Sequence, residues 1–344
     1  MPRRFTSRLT LAVLAAAAFA ASAPLAIAQP APSYSVVDRI KGPDAGFDYA
    51  SFDPAHRRVY VSRSGGVLAL DVDTGVVTGH LTDAQKTHES LPLDNGDKLL
   101  ITDSGTNTAH LVEALTGKPL AEIPTGQKPD GAFFDPATDL AFVIDGKSGD
   151  VTLVDPSTQK AVGSIAIGGG LEFGVADGQG RAFVNIEDQN QIAVLDTKAR
   201  TLVGRYPLAG CEGPTGLAYV ADAGVLIAAC ANKAAKIIRA ADGKDLGTLT
   251  IGAGPDAVIY DASRRLAFIP CGRDGVLEVI AVQGPDDIKI VQTVATEVGA
   301  KTGALDTKTG RLYLPTARYT IPADGGRPVS APGSFEILVV APNG

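Results

Sequence analysis

The chain has 344 residues, with 31 Lys and Arg against 38 Asp and Glu, a formal net charge of −7. An acidic chain repels a phosphate backbone, so nucleic acid is excluded as a general partner. The 39 Gly and 22 Pro, with no Trp, point to many tight turns and little helix. Four His and a single Met give no inventory for a copper or haem centre.

The N-terminus carries Arg3, Arg4 and Arg8, then an apolar run from Leu9 to Ala23, then Ala26-Ile27-Ala28 before Gln29. A positive region, a short apolar stretch and a small-x-small site make a secretory signal peptide, and the run is too short for a stable membrane span. Residues 1–28 are therefore expected to be removed by the general secretory route. Residues 29–344 are expected to form a single domain. That mature chain carries 28 basic and 38 acidic residues, a charge of −10. It has no apolar stretch of membrane length, so no transmembrane segment is expected. The expected location is periplasmic or secreted.

The first predicted strand is "YSVVDRIKG" (34–42). From there the sequence repeats. "EIPTG" ends at Gly126, "SIAIG" at Gly168, "YPLAG" at Gly210 and "TLTIG" at Gly252, a step of 42 residues each time. Units begin near Gly46, Thr87, Lys128, Gly169, Gly213, Gly254 and Ala300. Each reads as four short runs of Val, Ile and Phe bounded by Gly, Asp, Pro and Asn. In one unit these are "PDGAFFD", "LAFVID", "VTLVD" and "AVGSIAIG". This is strand-and-turn chemistry. A period near 40–45 residues predicts an all-β, seven-bladed β-propeller with four-stranded blades. The last unit stops after "FEILVV" (335–340) and lacks a fourth strand, whereas residues 34–42 are a fourth strand with no unit before it. The N-terminal strand is therefore expected to complete the last blade and close the ring, which removes exposed sheet edges.

The stretch "PDGAFFDPATDLAFVIDGKSGDVTLVDPSTQKAVGSIAIG" resembles the YVTN-repeat, YncE-like group of bacterial propellers, and the likeness runs over nearly all of the mature chain. The tetrapeptide itself departs from the pattern, as "VYVSR" (59–63), "LLITD" (99–103) and "AFVNI" (182–186). The resemblance implies fold and export, and a protein that binds a small ligand or a periplasmic partner.

Aligning the units on Gly254-Pro255-Asp256 places Asp48, Glu89 and Asp130 at the Asp256 position. Glu172 falls one place later, and Thr215 and Lys301 occupy the other two units. Glu212 lies just before the first strand of its unit. These positions line one mouth of the channel, where gathered carboxylates repel unless a cation or a hydroxyl-rich ligand sits among them. An Asp at a turn also caps its own backbone amides. For Asp71, Glu113, Asp155 and Asp196, on the opposite face, that turn role is the expectation. The ends of the second strands carry Asn185, Asp103 and Asp145, with Arg63, Arg273 and Arg318 at or just beyond them. Guanidinium groups beside carboxylates suit a carboxylate or sugar-acid ligand, and local ion pairing is the competing reading.

Glu172, Asn185 and Asp256 also resemble, in residue type, the metal-binding set of gluconolactonase-type propellers. That resemblance implies a divalent-metal hydrolase or lactonase using calcium or magnesium. His88, beside Glu89, is expected to be a solvent-exposed turn residue. Cys230 and Cys271 lie 17 residues after Gly213 and Gly254, the same place in neighbouring units, and equivalent points there are too far apart for a disulfide. Cys211 enters the first strand of the unit whose second strand ends at Cys230. A Cys211–Cys230 bridge is expected, with Cys271 a free thiol.

Overall fold

The computed structural model describes residues 1–2, 33–320 and 329–343. Nearly all of the expected signal segment lies outside the described residues. The chain divides into Met1–Pro30 and a compact unit Ala31–Gly344, and the architecture below is that of the second unit.

The described residues contain strands and two single-turn 3-10 helices, Asp94–Gly96 and Glu187–Gln189, with no α-helix among them. None of their helices is long and apolar enough to cross a membrane. Five sheets are four-stranded and antiparallel. One runs Pro129–Asp135, Leu140–Asp145, Asp150–Asp155, Lys160–Ala166 in chain order. The sheets beginning at Leu171–Ala176, Pro214–Val220 and Ile259–Asp261 repeat this meander.

Burial follows strand position. Every residue of Leu140–Asp145 is buried, because both its faces meet a neighbouring sheet. Lys160–Ala166, the outermost strand, is mostly exposed. The core thus lies between sheets: Phe133, Phe142 and Ile144 pack with Ala182, Val184 and Ile186 of the next sheet. Continuous apolar runs in the middle strands are what such two-sided burial requires.

One sheet departs from the expected repeat. Phe47–Asp53, Arg58–Asp71, Asp83–Leu93, Lys98–Asp103, Thr108–Glu113 and Pro119–Pro124 form a seven-stranded sheet, with Val77–Thr78 paired to Arg58–Asp71. The sequence predicts a turn inside Arg58–Asp71. The local residues there are Ser64-Gly65-Gly66, with φ of 88° and 148° at the glycines, and no Asp is present to cap a turn. The chain stays extended and pairs with Asp83–Leu93 at Ser64↔Lys86 and Gly66↔Asp83.

Tyr34–Lys41 pairs antiparallel with Glu336–Pro342, from Tyr34↔Pro342 to Lys41↔Glu336. It is the outer strand of the sheet that also contains Arg311–Thr316 and Ala304–Asp306. Tyr34 is fully buried with its ring edge-on to Phe268 at 5.0 Å. The leading strands touch in succession: Phe47–Asp53 meets Asp83–Leu93, then Pro129–Asp135, Leu171–Ala176, Pro214–Val220, Ile259–Asp261 and Ala304–Asp306, and the last meets Phe47–Asp53 again.

Cys211 and Cys230 are joined, with Cα atoms 5.5 Å apart, and Cys271 is free and buried. Burial pushes the Cys271 thiol up to about 12.

Candidate functional site

The leading strands bring their first residues to one place. Asp48, Asp130 and Glu172 are the second residues of Phe47–Asp53, Pro129–Asp135 and Leu171–Ala176, and Asp256 follows Pro255, which bridges to Cys271. The charges of Asp256, Glu172, Asp48 and Asp130 all reach the buried Tyr49 hydroxyl. The Tyr49 ring packs on Phe173 of a sheet three units away, with centroids 5.1 Å apart, so two aromatic rings meet beneath the carboxylates.

The cations among these acids come from the chain itself. Lys301, treated in the repeat alignment as one of two exceptions, places Nζ 3.1 Å from Asp48 Oδ1 and also donates to Asp256 Oδ2. Lys128 Nζ is 2.8 Å from Asp130 Oδ2. His88 is not an exposed turn residue. It is 7% exposed, with Nδ1 2.7 Å from Asp48 Oδ2 and 3.2 Å from Asp130 Oδ1, and Nε2 2.8 Å from Ser104 Oγ. The sequence expectation failed because His88 follows the turn and already belongs to the buried part of Asp83–Leu93.

This wiring divides the acids into two kinds. Burial works to raise the Asp48 carboxyl, yet the hydrogen bond to His88 and the charge of Lys301 hold it below its ordinary value. Burial likewise works against the Lys301 ammonium, and Asp256 and Asp48 outweigh it and raise that group. Glu172 and Glu89 lie beside these pairs and make no ion pair among the described residues. Burial, then the charges of Asp130 and Asp256, push Glu172 up to about 9. Burial chiefly pushes Glu89 up to about 8, against a hydrogen bond from the Ser90 amide. Both are neutral hydrogen-bond donors at pH 7.

The other predicted positions have partners or settings of their own. Asn185 is fully buried, and its Nδ2 donates to Thr215 O at 2.8 Å in the next sheet. Thr102 ties sheets in the same way through Asp130 O. Asn185 Nδ2 is thus joined to the neighbouring backbone, while its Oδ1 is buried with no partner among the described residues. Arg63 is buried, donates to Pro43 O and Gly79 O, and lies over Phe335 at 4.9 Å. Glu212 is exposed, with its backbone N–H on Asn232. Arg318 is exposed, with its backbone tied to Ser334 and Ala331. Arg273 is exposed and has no ion pair among the described residues. At the strand ends, Asp103 accepts from the Gln85, Lys86 and Gly105 amides. Asp145 accepts from Thr152 Oγ1. On the opposite face Asp71, Asp155 and Asp196 accept from amides two and three residues on, and Glu113 holds Thr116 and Lys118. These are turn caps, so a recurring acid is not in itself a site.

A cavity of ≈ 540 Å³ adjoins the carboxylate cluster, lined among others by Asp256, Arg273, Lys301, Glu187 and Tyr319. A wider hollow of ≈ 670 Å³ around Asp177, Arg181 and Asp196 lies where those acids already cap turns.

No family model matches the chain, and no curated protein matches it. Solved structures do. A chain of the Kuenenia stuttgartiensis hydrazine synthase superimposes with a TM-score of 0.70 at 15% identity, covering 79% of this chain and 93% of that one. A chain of a mitotic checkpoint complex superimposes with a TM-score of 0.73 at 14% identity, covering 97% of this chain and 99% of that one. Both are β-propeller proteins. The fold is a β-propeller. At such identities the likeness extends to fold alone, and it makes the leading strands of the sheets the lining of a central channel. The four carboxylates, Lys301 and His88 then stand at that channel, above the Tyr49–Phe173 contact.

Proposed function

We propose that the chain is an exported propeller of seven four-stranded units, similar to the YncE-like group, which binds a small anionic or polar ligand at one mouth of its channel. The count of seven is supported by the closed succession of seven leading strands and by reading the seven-stranded sheet as two units fused at Ser64↔Lys86. Export is supported by the N-terminal sequence and is compatible with the Cys211–Cys230 bridge, a feature of oxidising compartments.

The observation that carries the binding reading is the cavity beside Asp256. There the Arg273 guanidinium, without an ion pair among the described residues, faces the same space as Lys301 and Tyr319. Asp48 and Asp256 already neutralise Lys301, so Arg273 supplies the free positive charge, a planar fork suited to a carboxylate. Neutral Glu172 at the neighbouring mouth offers a hydroxyl-type donor to a polar ligand. The alternative, a divalent-metal hydrolase on Glu172, Asn185 and Asp256, has weaker support. Asn185 Nδ2 is taken by the adjacent sheet, although its Oδ1 is buried without a hydrogen-bond partner among the described residues, and Asp256 is paired with Lys301.

The test is thermal denaturation with millimolar glucuronate, gluconate and citrate. At least one of these anions should raise the melting temperature of the wild type, and Arg273→Ala should remove that rise. No shift with any of them, or an equal shift in the variant, would sink the reading.

A further inference from the structure

We infer that Asp48, His88 and Asp130 form a binding site for a borderline first-row divalent cation of the zinc type, at the centre of the channel mouth. Asp48 Oδ2, His88 Nδ1 and Asp130 Oδ1 come from three successive leading strands, and the ligand atoms lie within 4.8 Å of one another. Zinc bonds of ~2.0–2.2 Å set donors about 3–4 Å apart, so closure on an ion needs shifts below about 1 Å. One ring nitrogen with two carboxylate oxygens is a donor set for zinc or its first-row neighbours. Calcium prefers oxygen alone.

The surroundings orient each donor. Ser104 Oγ lies 2.8 Å from His88 Nε2 and holds the far side of the ring. The Nδ1 side of the ring faces two carboxylate oxygens, Asp48 Oδ2 at 2.7 Å and Asp130 Oδ1 at 3.2 Å, the three donors that a cation would share. The far oxygens, Asp48 Oδ1 and Asp130 Oδ2, are held by Lys301 and Lys128. Outer partners of this kind are what fix metal-binding His and carboxylate groups.

A proton on Nδ1 would satisfy the three donors alone. A second observation points to a larger, hydrated ion. The Tyr49 hydroxyl is buried, with Tyr49 4% exposed, and has no hydrogen-bond partner among the described residues. It faces the field of Asp48, Asp130, Glu172 and Asp256. A buried hydroxyl without a partner is costly. Three protein ligands leave a coordination position for water, which would be a partner for this hydroxyl.

Equilibrium dialysis of the full mature chain against Zn²⁺, Mn²⁺ and Ca²⁺ separately, with bound metal measured by mass spectrometry, tests the site. The expected result is one Zn²⁺ per chain, stronger than Ca²⁺, with loss of binding in Asp130→Asn and His88→Gln. Ser104→Ala, which frees only the far ring nitrogen, should weaken binding by about 10- to 100-fold. Glu212→Gln, outside the cluster, should bind as the wild type does. Should His88→Gln not fold, wild-type Co²⁺ absorption still decides, since nitrogen–oxygen ligation gives visible d–d bands. Wild type that takes up no stoichiometric Zn²⁺ at submillimolar free metal, or Zn²⁺ binding unchanged in folded His88→Gln or Ser104→Ala, overturns the inference and leaves a proton as the only occupant of Nδ1.

Discussion

Glu172 shows how a single residue reports on its surroundings. Its carboxyl stands near 9 in the fold against an ordinary value of 4.5, so the folded chain binds more protons than the unfolded chain between those values. For an acid raised in this way, stability is greatest below pH 4.5 and falls as pH rises towards about 9, by at most about 1.4 kcal/mol per pH unit. Glu172→Gln removes that loss. Its melting temperature should match the wild type near pH 4, exceed it at pH 7 and exceed it further at pH 9. Chemical denaturation across that range checks the direction, and a constant difference between variant and wild type at all three pH values would contradict it. Lys301 shows the opposite case, an internal charge held by two acids rather than opposed by them. Its part was not legible in the sequence, because alignment on Gly254-Pro255-Asp256 marked it only as a departure from the acidic consensus. Only folding shows that residue 301 stands between residues 48 and 256.

At the scale of the strand, the Cys211–Cys230 bridge ties the entry of Pro214–Val220 to the end of Val225–Cys230. The two half-cystines are 19 residues apart in sequence, and a loop of that length gives a stabilisation of about 3 kcal/mol by chain entropy. The double variant Cys211→Ser/Cys230→Ser should therefore unfold at lower denaturant with the same cooperativity. Alkylation of unfolded, unreduced wild type should label Cys271 alone. Labelling of all three cysteines would contradict the bridge. This pairing was legible because the repeat fixes register: residues 17 positions after equivalent glycines are equivalent strand ends. The same register misjudged two places. Ser64-Gly65-Gly66 stands where other units carry a polar turn with its own Asp, and the strand runs on into the next sheet. His88 sits one position after a unit start, where strand pairing rather than loop geometry sets burial. Asn185 was read as a ligand from its type, and its strand position, shared with Thr102, also makes its Nδ2 a tie between sheets.

For the whole molecule, the mouth exists because leading strands from separate repeats meet, and they meet because the succession of sheets returns on itself. Asp48 and Lys301 come from opposite ends of the described chain, yet they are 3.1 Å apart. The joint is the pairing of Tyr34–Lys41 with Glu336–Pro342, reinforced by Arg39 and Lys41 on Glu336 and by Tyr34 against Phe268. Without this strand, Glu336–Pro342 becomes an open edge and the first and last sheets lose their common partner. The most direct measurement is the melting temperature of the mature chain with residues 34–41 deleted, followed at several protein concentrations to detect edge association. The closed arrangement predicts a fall on the order of 10 °C or more, or aggregation that grows with concentration. A monomeric deletion variant with the wild-type melting temperature would contradict it.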